Sequence, residues 1–211
     1  MAAPAPRPIR TSDLKSKVMN VAQTSIYQVS LQPPPGVLSY LRGRGFEYKI
    51  DGESMELMCD ATSLPGSNFR TMQNMDRRGV VEDIPYMRDY GDINFSFYVN
   101  YKYDVVEFFE GWMDYINGIQ DRSQYLTPYA TYRMKYANDY KTNIFVTKFE
   151  KNIGSNVREN NTNWKLDYTF VGAFPISMDP IEISYSSSEI LKLNVRMNYV
   201  RYVRERTRIG E

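Results

Sequence analysis

Three acidic side chains, Glu107, Glu110 and Asp114, are the residues whose spacing best suits chemistry, because they recur at helical intervals. Carboxylates arranged in this way can share protons or hold a metal ion. A metal site would need third and fourth ligands, which nothing nearby in the sequence supplies, and the chain contains no histidine. We therefore predict that these carboxylates form a solvated helix face, and we expect neither a metal ion nor a cofactor.

Nucleophilic and phosphate-transfer chemistry has equally little support. Without histidine, Cys59, the single cysteine, has no base for a Cys-His pair and no partner for a zinc site or an internal disulfide, and we interpret it as a buried small hydrophobe. The serine cluster at 186–188 also lacks an activating base, and we interpret it as a polar turn. Gly43-Arg44-Gly45 lacks the Lys-Ser/Thr ending of a phosphate-binding loop. The sequence therefore predicts a protein that is not an enzyme.

Length fits one large or two small domains, of which one domain is the simplest division, and composition indicates a substantial core. The chain has 211 residues, 42% of them hydrophobic, and a formal net charge of +1, which argues against a dedicated nucleic-acid binder. No apolar stretch approaches the roughly 18 residues of a transmembrane helix, and the N-terminus lacks the apolar region of a signal peptide, so we expect no membrane association. The 18 tyrosines and 10 phenylalanines favour strands.

One amphipathic helix is predicted over about 104–117. Apolar residues at helical spacing form a stripe that should face the core: Val105, Phe108, Phe109, Trp112 and Ile116. Asp104 is placed to cap the first amides, with Glu107 completing a capping box, and Gly118 is placed to end the helix.

Alternating or apolar runs predict seven or eight antiparallel strands around this helix. Ile93–Asn100 alternates most clearly. The other predicted strands are Ile26–Leu31, which ends at Pro33-Pro34-Pro35-Gly36, a hairpin of Phe46–Ile50 and Met55–Cys59 around Asp51-Gly52, Ile144–Phe149, Trp164–Phe170 interrupted at Phe174-Pro175, Ile181–Tyr185, and Leu191–Tyr199. The predicted fold is mainly β, an antiparallel β-barrel or sandwich with the helix covering one opening.

Between Ala61 and Pro85 the sequence predicts a long excursion with turn residues at both ends and little periodicity. A loop of this length is functional or disordered, and its scattered apolar residues suggest that it packs on something. A partner contact is the favoured interpretation, and packing within the same chain is the alternative. The candidate subunit-interface residues here are Leu64, Pro65, Phe69, Met72, Met75, Arg77 and Arg78.

The two ends of the chain are basic. We expect a mobile basic arm over 1–20, one domain over 21–203 and a basic tail over 204–211. The arginine run from Arg196 to Arg208 continues an apolar-alternating strand, so we favour a subunit contact over plain solvation and over nucleic-acid binding. Arg201 and Arg204 are the candidate interface residues in this run.

Four local motifs, in this order, resemble the tail tube protein family of contractile-tailed bacteriophages over about residues 24–203. Ala61-Thr62-Ser63-Leu64-Pro65-Gly66 is similar to the family's Ala-x-x-Leu-Pro loop, and Phe109-Glu110-Gly111-Trp112 to its Phe-x-x-Trp helix signature. Gly172–Ser177 is similar to its Gly-x-x-Pro turn, and Ile183–Tyr202 resembles its closing hairpin.

The resemblance implies a tail tube-like fold whose copies join strand to strand into hexameric rings, which stack into a tube. It further implies tail sheath and baseplate proteins outside, tape measure protein and DNA held non-specifically in the lumen, and a location in the virion tail after assembly in the host cytoplasm. The chain would be either the tube subunit or a baseplate-proximal initiator. The alternative from the residues alone is a monomeric β-barrel module whose tyrosines bind a ligand or single-stranded nucleic acid.

Overall fold

The computed structural model describes residues 24–46, 58–74, 79–119, 133–149, 164–186 and 189–208. The predicted arm over 1–20 and most of the predicted hairpin around Asp51-Gly52 lie outside these residues. The described chain is mainly β and antiparallel, as predicted, with nine strands and three helices. They are β1 (Tyr27–Leu31), α1 (Pro35–Gly43), β2 (Cys59–Thr62), β3 (Ser67–Asn74), β4 (Glu82–Tyr90), β5 (Ile93–Tyr98), α2 (Asp104–Asn117), α3 (Ala137–Tyr140), β6 (Thr142–Phe149), β7 (Trp164–Met178), β8 (Lys192–Asn198) and β9 (Arg201–Arg208).

Seven of these strands form two sheets that share one strand. Sheet 1 has the order β1-β6-β7-β9, and sheet 2 has the order β7-β8-β5-β2. The first part of β7 pairs with β9, and its last residues, from Phe174 to Met178, pair with β8. The predicted interruption at Phe174-Pro175 is wrong. One continuous strand changes partners between the two sheets. Two local features allow this change: Gly172, which has a φ of 67°, and a register shift after Pro175.

The core lies between the inner faces of the two sheets. In β5 the predicted apolar face is confirmed, since Ile93, Phe95 and Phe97 are at most 1% exposed. Alternate residues of the other strands complete the core: Val29, Leu31, Ile144, Val146, Tyr168, Phe170, Leu193, Val195 and Met197. Tyr27 Oη donates to the Cys59 carbonyl at 3.0 Å and so links the outer strands of the two sheets. Cys59 is half-buried rather than buried, and burial raises the pKa of its thiol to about 11.

Helix α2 spans the predicted residues and buries the predicted stripe. Val105, Phe108, Phe109 and Trp112 are fully buried, and Ile116 packs against the core while partly exposed. The predicted capping box is wrong. Tyr103, with a φ of 58°, occupies the cap position and Asp104 is the first helical residue. Asn100 supplies the cap instead, because its Oδ1 accepts from the Asp104 amide at 2.9 Å.

Helix α1 was not predicted, because the proline run after β1 was interpreted only as a strand terminator. Proline suits the first turn of a helix, where its missing N–H costs nothing, and Pro35 begins α1. Val37 and Leu41 of α1 are fully buried. A side chain at Gly111 of α2 would collide with Leu41, so the glycine lets the two helices approach closely. The described residues therefore form two core helices and the single turn α3, whereas the sequence predicted one helix.

The predicted arrangement of the C-terminal third is partly wrong. Residues 181–185 form no strand, and Ile183 is 91% exposed. The closing hairpin is absent, since β8 pairs with β5 and β7 while β9 pairs with β7. Strand β5 pairs along 192–197 of β8 and β7 along 195–198, so β8 forms its ladders with these two strands and not with residues 181–185. Residues 204–208, assigned from the sequence to a tail, lie in β9.

Candidate assembly surfaces

The predicted excursion is a β-hairpin rather than an irregular loop. Strands β3 and β4 pair from Ser67 opposite Tyr90 to Asn74 opposite Glu82, with a register shift between Arg70 and Thr71. They form a two-stranded sheet separate from sheets 1 and 2. The hairpin escaped prediction because most side chains on both its faces are exposed, so no buried face imposes an alternating pattern on the sequence.

The hairpin and the turn before it carry large apolar side chains at the surface. Leu64, Phe69 and Met72 are 49%, 64% and 60% exposed, while Pro65 is half-buried. Further exposed apolar side chains are Val80, Val81, Ile84, Tyr86 and Met87. Met75, Arg77 and Arg78 lie outside the described residues. The described part of the chain therefore does not bury these side chains, and such clusters are typical of interaction surfaces.

Arg88 attaches the base of the hairpin to sheet 1. Its guanidinium donates to Ser67 Oγ at 2.9 Å and to Tyr202 Oη at 3.0 Å, and it lies over the rings of Tyr90 and Tyr202. The Tyr202 ring contacts Tyr168 and Phe170 of the core at centroid distances of 5.9 and 6.5 Å. Arg88 gives no signal in the sequence, because its partner Tyr202 is 114 residues away and no local pattern connects them.

The outer face of sheet 2 is polar, and an ion pair between Lys192 and Asp60 joins two of its strands. Asp60 on β2 accepts hydrogen bonds from Lys192 Nζ on β8 at 2.6 Å and from Tyr98 Oη on β5 at 2.5 Å. Both hydrogen bonds lower the pKa of the Asp60 carboxyl, and the hydrogen bond from Lys192 has the larger effect. Farther along β8, Asn198 Nδ2 donates to Asp92 Oδ1 at 2.9 Å and Arg196 Nε donates to Ser177 Oγ at 3.1 Å.

The acidic row on α2 is less solvated than predicted. Asp114 forms an ion pair with Arg44 at 2.8 Å, and both side chains are less than 20% exposed. Partial burial, followed by the charges of Asp114 and Glu107, raises the pKa of Glu110. The row lines one side of a groove whose other side includes Met178 and Ile181. Among the described residues, no cluster of acidic or cysteine side chains is arranged to hold a metal ion.

Arg201 and Arg204 are both exposed on β9, but they point to opposite faces of sheet 1. Arg201 lies opposite Val171, whereas Arg204 lies opposite Tyr168, three positions along the ladder. Because successive side chains alternate between faces, Arg204 shares the inner side with Tyr202 and Arg201 lies on the outer side. Arg196 lies on the apolar-alternating strand β8, but the other arginines of the run do not continue that strand, contrary to the prediction. They lie on a separate strand, β9.

In sheets 1 and 2, three strand edges have no partner strand within the described part of the chain. They are the outer edges of β1 and β9 in sheet 1 and of β2 in sheet 2. Each presents a row of backbone donors and acceptors that can pair with another strand. Across the same residues, no helix has the length and apolar content needed to span a membrane.

Comparison with known proteins identifies the family. The profile of the phage tail tube protein family matches residues 22–205. This match covers nearly the whole described domain, so the chain belongs to the phage tail tube protein family, a family of structural tail components. No curated protein sequence matches the chain.

Solved structures share the fold at low sequence identity. A chain of the sheath-tube complex of an extracellular contractile injection system (PVC) in its extended state superposes with a TM-score of 0.52 at 14% identity, covering 95% of this chain and 100% of that chain. The tube-terminating cap of the anti-feeding prophage gives 0.51 at 14% identity, covering 98% of this chain and 100% of that chain. A chain of its baseplate gives 0.50 at 9% identity, covering 88% and 96%. These comparisons confirm the expected tail tube-like fold.

Proposed function

We propose that this chain forms hexameric rings that stack into the inner tube of a contractile phage tail, or that form its baseplate-proximal initiator ring. Tail sheath and baseplate proteins surround the rings. The lumen holds the tape measure protein and afterwards conducts DNA during ejection. The protein is located in the virion tail after assembly in the host cytoplasm. Family membership supports this proposal, as do relatives of the same fold in a sheath-tube complex and in a six-fold symmetrised baseplate.

The open strand edges carry the proposal. The outer edges of β1, β9 and β2 have no partner strand within the described chain, and natural monomers usually protect such edges. Pairing with neighbouring copies satisfies the backbone groups along these edges. If one edge of each copy pairs with a different edge of its neighbour, successive copies are related by the same rotation. The copies close into a ring when a whole number of these rotations makes a full turn.

The outer face of sheet 2 suits the lumen wall. Lys192 and Arg196 are its basic side chains on β8, and Lys192 is paired with Asp60 while Arg196 is bonded to Ser177. Affinity for DNA comes mainly from cationic contacts with phosphates, so a wall with few and balanced charges holds DNA weakly. Weak, non-specific contact allows DNA to slide through the channel.

Light scattering and electron microscopy of the purified chain test the proposal. Rings or tubes are expected, whereas the alternative, a monomeric binding module, requires a particle near the chain mass of 24.7 kDa at every concentration. A chain that stays monomeric at high concentration overturns the proposal. The number of copies per virion then separates a single initiator ring from a shaft of many rings.

The double variant Leu64→Asp, Phe69→Asp tests the interface residues. Both side chains are exposed, so the variant should keep the melting temperature of the wild type and lose polymerisation. The control is Asn68→Asp, which places one of the two added charges on an exposed neighbour of Phe69. Polymerisation of the double variant at the wild-type level would remove Leu64 and Phe69 from the interface.

A further inference from the structure

The groove beside α2 has one acidic wall and one apolar wall. Glu107, Glu110 and Asp114 of α2 form the acidic wall, and the apolar wall includes Met178 and Ile181. Its volume of about 820 Å³ lies within the range of about 300–1,000 Å³ that is typical of binding pockets. The groove can therefore accept a segment of chain that carries both cationic and apolar side chains.

The groove has an excess of negative charge. Its lining includes one cation, Arg44, and four carboxylates: Glu107, Glu110, Asp114 and Asp179. Arg44 forms an ion pair with Asp114, and no described residue forms an ion pair with the other three carboxylates. Partial burial and the neighbouring carboxylates raise the pKa of Glu110, so its charged form is disfavoured. A cationic partner would stabilise that charge.

The basic arm predicted over 1–20 has the matching chemistry. It contains one acidic residue, Asp13, and four cationic residues: Arg7, Arg10, Lys15 and Lys17. This excess of three positive charges equals the excess of three negative charges in the groove lining. Three of the cations have an apolar neighbour in the sequence, in the pairs Ile9-Arg10, Leu14-Lys15 and Lys17-Val18.

The first strand begins at the same end of the sheets as the groove. Tyr27, the first residue of β1, donates from its hydroxyl to the Cys59 carbonyl at 3.0 Å. Cys59 lies opposite Phe97, and Phe97 lies opposite Leu193, which lines the groove. Two strand spacings of about 4.8 Å therefore separate Cys59 from Leu193. Since the chain from Lys17 to Tyr27 can extend over about 33–36 Å, the arm can reach the groove of its own chain.

We propose that the basic arm, residues 1–20, docks in this groove of its own chain. Its cations contact the acidic wall, and its apolar residues contact Met178 and Ile181. Covalent linkage favours the arm over a separate basic protein, because a short linker gives the arm a high effective concentration at the groove. The inference goes beyond the proposed function and does not depend on it, because the contact forms within one chain.

Zero-length cross-linking of the full chain with a carbodiimide tests the contact. This reagent joins a carboxylate to an amine only where the two groups touch, so Lys15 or Lys17 should be linked to Glu107 or Glu110. Unlabelled and isotope-labelled chains are mixed while dissociated, before any assembly. Mass spectrometry should find that both peptides of each cross-linked pair carry the same label. Pairs of mixed label would assign the arm to a neighbouring copy and overturn the inference.

Charge exchange tests whether the acidic wall holds the arm. The groove variant is Glu107→Lys, Glu110→Lys, and the arm variant is Lys15→Glu, Lys17→Glu. Trypsin should cleave after Arg10 about tenfold faster in either variant than in the wild type, which corresponds to a loss of about 1.4 kcal/mol of docking free energy. A chain with all four changes should regain slow cleavage and cross-links, because opposite charges face each other again.

Asp83→Lys, Glu189→Lys is the matched control, because it makes the same change of charge at two exposed carboxylates outside the groove. It should be cleaved like the wild type. Thermal melting checks each fold, and Glu107→Gln, Glu110→Gln replaces the groove variant if that variant unfolds. Equal cleavage of the wild type and the groove variant, or fast cleavage of the chain with all four changes, overturns the inference.

Discussion

At the scale of single residues, Asp60 joins three strands through one carboxylate. It belongs to the edge strand β2 and accepts from Tyr98 on β5 and Lys192 on β8. The Lys192 ammonium also lies 5.1 Å from the Tyr98 ring centroid. An ionised Asp60 therefore helps to hold the short strand β2 against the rest of sheet 2. The same contacts neutralise a cation on the face that we assign to the lumen.

Asp60→Asn should lower the melting temperature slightly at neutral pH, and this difference should disappear in acid. The hydrogen bonds from Lys192 and Tyr98 lower the folded-state pKa of Asp60 below its unfolded value of about 3.9. Its stabilising contribution is therefore present above pH ~4 and is lost as pH falls through the lower folded-state pKa. Thermal melting of both proteins from pH 7 to pH 2 measures the effect.

Asp83→Asn is the control for this experiment, because it removes the same charge from an exposed position on the hairpin. It should melt like the wild type at neutral pH. A melting difference for Asp60→Asn that stayed constant down to the lowest pH would show that the effect does not come from ionisation.

At the scale of elements, close approaches at two glycines position the helices. Gly111 admits Leu41 of α1 against α2, and Gly118 ends α2 with a φ of 74° beside the Arg133 carbonyl. Trp112 Nε1 donates to the Tyr140 carbonyl at 3.1 Å and so ties α2 to α3. Together these contacts hold the helices over the core between the two sheets.

Gly118→Ala should destabilise the chain by more than about 1 kcal/mol, because alanine is strained at positive φ and its Cβ would meet the Arg133 carbonyl. Gly43→Ala is the matched control. Gly43 lies in α1 with open space around its Cα, so alanine there should be neutral or stabilising by up to about 1 kcal/mol. Urea unfolding of both variants measures these changes, and equal stabilities would refute the role of Gly118.

At the scale of the whole molecule, the open strand edges and exposed apolar side chains of the described residues are suited to assembly. Within those residues, β1, β9 and β2 have edges without a partner strand, and the β3–β4 hairpin carries large apolar side chains at the surface. We propose that sideways pairing of these edges builds the ring.

Charge reversal on β9 should weaken assembly. Arg201→Glu, Arg204→Glu changes both faces of this edge strand, so assembly should decrease and the wild type should depend steeply on salt. Single reversals separate the two faces, since Arg201 and Arg204 point to opposite sides. Light scattering across a range of salt concentrations measures assembly.

Arg42→Glu, on the exposed side of α1, is the control with the same charge change. It should assemble like the wild type. Unchanged assembly of the β9 variants would remove these two arginines from the interface.

The sequence showed which residues of the candidate surfaces are unusual in type, but it did not show how they are arranged in space. Leu64, Phe69 and Met72 stand out as apolar residues in a polar stretch, and the structure finds them exposed. Their hairpin was hidden because it has no buried face to enforce alternation. Arg88 and Asp60 were missed because their partners are distant in sequence, at Tyr202 and Lys192.

The sequence alone determined the elements that bury one face. Helix α2 and strand β5 were predicted closely because a half-buried element must repeat its apolar residues with its own period. Only the tertiary structure decided which strands pair, that β7 belongs to two sheets, and where the β3–β4 hairpin attaches. Strand pairing and hairpin placement depend on contacts between residues far apart in the chain, and such contacts leave no periodic trace in a single sequence.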